Sequence, residues 1–436
     1  MDTGRSPLDC SLLRDGAFVP LAEEAVCDYI TWDELTRRPL PPGMSAADTW
    51  EVLATIRRFG ATWFPIAAPD GARYWYTLTR EAIGCLQVIE HHCRADSSLH
   101  LAMLEREGRR FLVRSQVQEA IATCQLDGVD VSYEDAGRLL QTGRTPQTAT
   151  ERFVANSFAL LGELEELASE PLSPAMVRHV YDRLAEGVDQ RELHRLPARY
   201  NLSGVTHPGE ELTSSEAEKV LQDLCDYGNG VTGQVAEPAA MRGYAFMSSM
   251  GYWHPLPDFN GTVARHMLRV FAVKKGYPVL GYLPVSLMTR EWAEGRVHPP
   301  TVRFTELDQR QVLAGEIDYT QDALTHLQLT VAAIDDLLAY VEKTRRRDAE
   351  MESALEGDEA LNFRQRSVLS RALVRPNAEF RIRHHQMTHH VVYSTARADL
   401  TELVERSYLL EELSGKTLIF RPAPDLKERL GVARDG

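Results

Sequence analysis

His254-Pro255-Leu256-Pro257-Asp258-Phe259 leads directly into Asn260-Gly261-Thr262-Val263-Ala264-Arg265, so one short stretch holds an imidazole, a carboxylate, a turn and a guanidinium. Each proline fixes its own φ and biases the residue before it away from helix, which makes the first half a stiff loop. Asn260-Gly261 is turn chemistry. Beyond it Val263, Met267, Leu268, Val270 and Phe271 recur at helical spacing. The loop therefore runs into a helix N-terminus, whose free N–H groups and dipole attract anions. Arg265 falls about one turn inside that helix. A histidine takes up a hydroxyl proton near neutral pH, and an aspartate is a hard oxygen ligand of the kind Mg²⁺ accepts when it also binds phosphate. Taken singly, each residue reads as part of a connector between two core helices, with Asp258 as a cap. Together they point to phosphate chemistry.

The surrounding chain is an ordinary soluble composition, with 44% hydrophobic and 25% charged residues over 436 positions, long enough for two or three domains. No apolar segment follows the N-terminal methionine, and no run approaches the roughly 18 apolar residues of a membrane span. The expectation is a cytoplasmic protein with no membrane partner. Cys10, Cys27, Cys85, Cys93, Cys124 and Cys225 are scattered without a C-x-x-C pair, which indicates neither a disulfide framework nor a zinc cluster. The net charge of -15 argues against bulk electrostatic binding of nucleic acid. From Glu359 onward, however, 13 Lys and Arg face 10 Asp and Glu, leaving -18 on the preceding residues. The tail is the one region able to face DNA without strong repulsion.

Helical spacing dominates the rest, as in Val117, Ile121, Cys124; in Phe153, Val154, Phe158, Leu160, Leu161; and in Leu324, Leu327, Ile334, Leu337, Leu338. The fold class expected is mainly α. Residues up to about Leu78 differ, with a turn at Leu40-Pro41-Pro42-Gly43 and a short strand suggested by Tyr74-Trp75-Tyr76.

The opening stretch resembles the signature of the Fic (Fido) family, His-Pro-Phe-x-Asp/Glu-Gly-Asn-Gly-Arg/Lys-x-x-Arg, at His254, Pro255, Asp258, Asn260, Gly261 and Arg265. Ser115 to Gly128 resembles the inhibitory helix that some family members carry on the N-terminal side. Its motif is Ser/Thr-x-x-x-Glu-Gly/Asn, and Thr123 and Gly128 fit it, with Asp127 at the glutamate position. Phe304 to Gln309, continuing through Asp318-Tyr319-Thr320, resembles the helical region after the motif. Leu361 to Gln365 and Thr395 to Leu400 resemble an appended winged helix.

The resemblance implies a Fic helical core with a small β-hairpin flap and a C-terminal winged helix-turn-helix. The corresponding division is 1–80 without assigned role, 81–195 helical with the inhibitory helix, 196–343 Fic core, 344–358 charged linker and 359–436 winged helix. The activity implied is protein adenylylation, in which a Ser, Thr or Tyr hydroxyl of a target, or of the protein itself, attacks the α-phosphate of ATP. His254 is then the general base and Asp258 the Mg²⁺ ligand. Asn260, Gly261 and Thr262 lie in the anion cradle, and Arg265 meets the γ-phosphate. Arg199 to Leu212 is the flap candidate. The alternative is a catalytically degenerate relative that regulates by binding nucleotide, or by binding DNA or a protein through the winged helix.

Three departures set further expectations. Thr262 stands where the family has a cation, and losing one such stabiliser costs about 3 kcal/mol of transition-state energy. Phe259 replaces a glycine, and a bulky side chain resists φ > 0. Restoring both is expected to raise activity. Asp127 is one methylene shorter than glutamate, about 1.5 Å, which predicts a loose inhibitory contact with Arg265. His384, His385, His389 and His390 invite a metal reading, but no further ligand sits at zinc spacing, so they read as part of a helix-turn.

Overall fold

The computed structural model describes residues 12–67, 71–193, 212–234, 236–296, 312–313, 316–358, 360–375, 377–414 and 417–431. They fall into two compact units, Met1–Leu338 and Ala339–Gly436. The flap candidate, apart from Leu212, and Phe304 to Gln309 lie outside the described residues.

The N-terminal segment is built into the first unit. Helix α1, Ala46–Phe59, starts at a capping box in which the Ser45 hydroxyl and the Asp48 carboxylate satisfy each other's backbone N–H. It buries Trp50 and Leu53 against Phe18, Leu21, Ile30 and Leu35. Strand β1, Thr62–Ala67, pairs antiparallel with β2, Arg73–Tyr76. The aromatic run is thus a strand. Its other edge pairs in parallel with β4, Glu316–Asp318, which in turn carries β3, Val312–Leu313. Arg57 of α1 fixes this long-range pairing. Its Nη2 lies 3.0 Å from Asp318 Oδ2 with both side chains buried, and its guanidinium sits over the rings of Tyr29 and Trp50.

Around this lie the helices that position the site: α2, Arg106–Leu126; α3, Ala149–Leu161; α4, Ser214–Asn229; α5, Ala239–Trp253; and α6, Asn260–Lys274. Helix α6 is buried nearly all round, by Val263, Ala264, Met267, Val270, Phe271 and Ala272 and also by Thr262, His266 and Arg269. Such a helix is the centre of its core. Gly243 of α5 faces it, and a Cβ there would stand 2.9 Å from the side chains of Leu268 and Phe271. Glycine lets the two helices touch. Arg269 is held by Glu119 of α2 at 2.7 Å and by the carbonyls of Gly281 and Leu283. This buried pair ties α2 to α6, and removing one partner would leave an uncompensated charge.

Helix α7, Thr320–Glu356, runs past the division between the units. The charged run expected as a linker over 344–358 is helix as far as Glu356. Its charges pair along one face, as in Arg346 and Glu350 at 3.0 Å. The compact division comes earlier, after Leu338.

The second unit comprises α8, Phe363–Val374; α9, Ile382–His389; α10, Tyr393–Glu405; and an antiparallel hairpin of β5, Leu409–Ser414, and β6, Thr417–Pro422. Phe380 adds a bridge to Phe420. Leu369, Leu373, Leu400, Leu403, Leu409 and Phe420 form the core. Asp399 of α10 joins three elements, accepting from Arg364, Asn362 and His385. Burial raises its pKa, but these donors outweigh it and hold it at about 2. His385 Nε2 lies 3.0 Å from the Asp399 carboxylate.

Candidate anion site and its closed lock

The motif loop is set by two residues in the left-handed backbone region. His254 ends α5 with φ 48°, and Pro255 cannot continue the helix. Phe259 opens α6 with φ 56°. The sequence argued that a bulky residue at 259 would resist this conformation, yet Phe259 adopts it. The cost of left-handed backbone, roughly 1–2 kcal/mol, is offset by burial. The Phe259 ring is 2% exposed and lies 4.4 Å from Phe153 and 6.2 Å from Tyr181 between centroids. Phe259 thus keeps the glycine-like backbone and anchors the loop.

Asn260 closes the loop on itself. Its Oδ1 accepts from Leu256 N at 2.9 Å and its Nδ2 donates to Leu256 O at 2.9 Å. The side-chain amide therefore shapes the turn. Asp258 is half-buried on the cavity wall, and its Oδ1 accepts from Phe259 N at 2.7 Å. His254 is exposed on the same wall. The next histidine, His266, is chemically different. Burial first, then Arg269 and Arg265, lowers its pKa to about 3, and its Nε2 contacts Ser157 Oγ at 3.0 Å. Of the two, only His254 is placed to exchange a proton with a molecule in the cavity. The cavity holds about 970 Å³ and runs along α5, the loop and the start of α6.

The anion position at the head of α6 is filled by Asp127. Its Oδ2 accepts from Thr262 N at 2.8 Å and from Thr262 Oγ1 at 2.8 Å, and its Oδ1 accepts from Arg265 Nη2 at 2.6 Å. Thr123, one turn earlier on α2, receives Arg265 Nε on its hydroxyl at 2.7 Å and Nη2 on its carbonyl at 2.8 Å. Backbone N–H, hydroxyl and guanidinium are the donors a phosphate oxygen takes at a helix N-terminus. Gly261 makes room, since a Cβ on it would lie 2.3 Å from Asp127 Oδ1. Gly128, with φ 80°, lets the chain turn away after α2.

The expectation of a loose contact is overturned by this geometry. A shorter acid is matched by a shorter partner: Thr262, fully buried, brings a hydroxyl and its own N–H to Asp127. Glu119 and Thr123 of α2 and Asp127 at its C-cap repeat every four residues and meet Arg265 and Arg269, four apart on α6. That spacing was available in the sequence; the Glu119–Arg269 pair was not read from it.

At position 259 these observations add a cost in stability to restoring the motif. Phe259→Gly removes a buried ring, worth about 3–5 kcal/mol for truncation of a core aromatic, and recovers about 1 kcal/mol of backbone strain. A net loss of about 2–4 kcal/mol is expected in urea unfolding. A variant as stable as the parent would show that the ring contributes nothing to the loop.

No family model and no curated protein matches the chain. In three dimensions it is similar to the crystal structure of a Fic family protein from Desulfovibrio desulfuricans, at 17% identity and TM-score 0.48 over 80% of this chain and 98% of that one. It is also similar to Fic-1 from C. elegans, at 15% identity and TM-score 0.42 over 77% and 95% respectively.

Proposed function

We propose that the first unit is a Fic-type protein adenylyltransferase whose phosphate site is closed by Asp127. The observation that carries the reading is the Asp127 carboxylate seated on Thr262 N–H, Thr262 Oγ1 and Arg265, beside His254 and Asp258 on one cavity wall. A carboxylate bound by these donors marks an anion site, and the flanking base and hard oxygen ligand fit a nucleoside triphosphate. With Asp127 withdrawn, Thr262 and Arg265 receive the terminal phosphates. His254 accepts the proton of an incoming protein hydroxyl, whose oxygen bonds to the α-phosphorus while the bond to the departing diphosphate breaks. Asp258 would hold Mg²⁺, which neutralises phosphate charge when bound. The backbone preserved at Phe259 favours this over a decayed site.

Position of the label decides the reaction class. Incubated with Mg²⁺ and ATP, the protein or a partner should take up label from the α-phosphate and none from the γ-phosphate, read by autoradiography. Transfer of γ-label, or of neither label even after Asp127→Gly, would exclude nucleotidyl transfer.

For the second unit we propose a winged helix that binds duplex DNA. The support is the α9–turn–α10 arrangement, with Ser394, Arg397 and Ala398 exposed on α10, Arg383 exposed on α9 and Arg381 exposed at its N-cap, followed by the β5–β6 hairpin. Binding by the full chain should weaken steeply with salt, and Arg397→Ala should lower the slope by about one if it meets a phosphate. Salt-independent or absent binding would point to a protein partner.

A further inference from the structure

A polar cluster on another part of the cavity wall has no part in the chemistry above. Ser248 of α5 and Asp322 and His326 of α7 line the cavity. Ser248 Oγ lies 3.2 Å from Asp322 Oδ2 and 3.4 Å from His326 Nε2, and His326 Nε2 lies 3.7 Å from Asp322 Oδ2. The three atoms make a nearly equilateral triangle. A cation with ordinary bonds of about 2.0–2.3 Å to nitrogen and oxygen holds adjacent ligands about 3.0–3.7 Å apart, which is the size of this triangle.

The surroundings hold the three atoms in place. Asp322 and His326 are one helical turn apart, and the His326 ring stacks on Tyr244 at 5.3 Å with 5° between planes. Tyr319 Oη sits 2.7 Å from Ser248 Oγ. Asp322 is only 12% exposed, and its one ion-pair contact among the described residues is His326.

We infer that Ser248, Asp322 and His326 form a binding site for a divalent transition-metal cation of the Mn²⁺, Co²⁺ or Zn²⁺ class, separate from Asp258 and independent of the transferase reading. The imidazole selects a transition metal over Mg²⁺, and the remaining positions open on the cavity, where water or a substrate oxygen completes the shell. Among the described residues no three His, Cys, Asp or Glu side chains gather for a metal. This set reaches three through a hydroxyl, which is a weak ligand, so the ion exchanges rather than holding the fold together.

Titration of the full chain with Co²⁺, followed by its visible absorption, reports binding and coordination of the ion. One Co²⁺ per chain is expected at this site. Asp322→Asn and His326→Gln, both close in shape to the parent residues, should each weaken it about tenfold or more, while Asp258→Ala leaves the band in place. If either variant fails to fold by circular dichroism, Ser248→Ala decides, with a several-fold weakening expected. No band, a band that survives these substitutions as one from the histidines of the second unit would, or a band lost with Asp258→Ala overturns the assignment.

Discussion

In an Asp127→Gly background, replacing His254 by alanine should reduce nucleotidyl transfer by about 10²- to 10⁴-fold, the range of a positioned general base, while ATP affinity changes little. The separation follows from the geometry. The donors proposed to meet phosphate are on α6, at Thr262 and Arg265, whereas His254 sits at the other end of the loop, exposed on the cavity wall. Transfer rates and nucleotide titrations of the same preparation check both halves. Equal rates with and without His254 would remove it from the reaction, and a parallel loss of ATP affinity would make it a binding residue.

Asp127→Gly alone should raise transfer by about 10²-fold. The carboxylate holds three donors, one of them a guanidinium at 2.6 Å, and charge-assisted hydrogen bonds contribute about 1.5–3 kcal/mol each. A triphosphate must break them before it reaches Thr262 and Arg265. Initial rates at fixed ATP measure the gain. A variant with the parent's rate would mean that the contact caps α2 without restraining the site.

The parts of this site that were legible in the sequence are those fixed by local chemistry. The loop and the place of Arg265 about one turn into the following helix follow from spacing, with the helix itself starting slightly earlier, at Asn260, than the run from Thr262 suggested. The aromatic strand was legible for the same reason. The pairing of Thr123 and Asp127 with Arg265 was implied by the family resemblance. What the sequence hid depends on packing between distant segments. The φ of Phe259 is decided by Phe153 and Tyr181, the tightness of the lock by the hydroxyl of Thr262 and the bare Cα of Gly261, and the place of the N-terminal segment by Arg57 meeting Asp318. Ser248, Asp322 and His326 converge only once α5 and α7 are packed together. The length of α7 was obscured by its charge, which reads as a linker until i,i+4 pairing is counted.

The central claim is that Asp127 occupies a phosphate site by virtue of its charge. Asp127→Asn keeps the size and shape of the side chain and removes the charge, so ATP titration in Mg²⁺ against the parent isolates that point. Tighter binding by the asparagine variant, by about tenfold or more, is the predicted result, since loss of a charge-assisted contact of about 1.4 kcal/mol corresponds to a factor of ten. Identical affinities for the two proteins would contradict it.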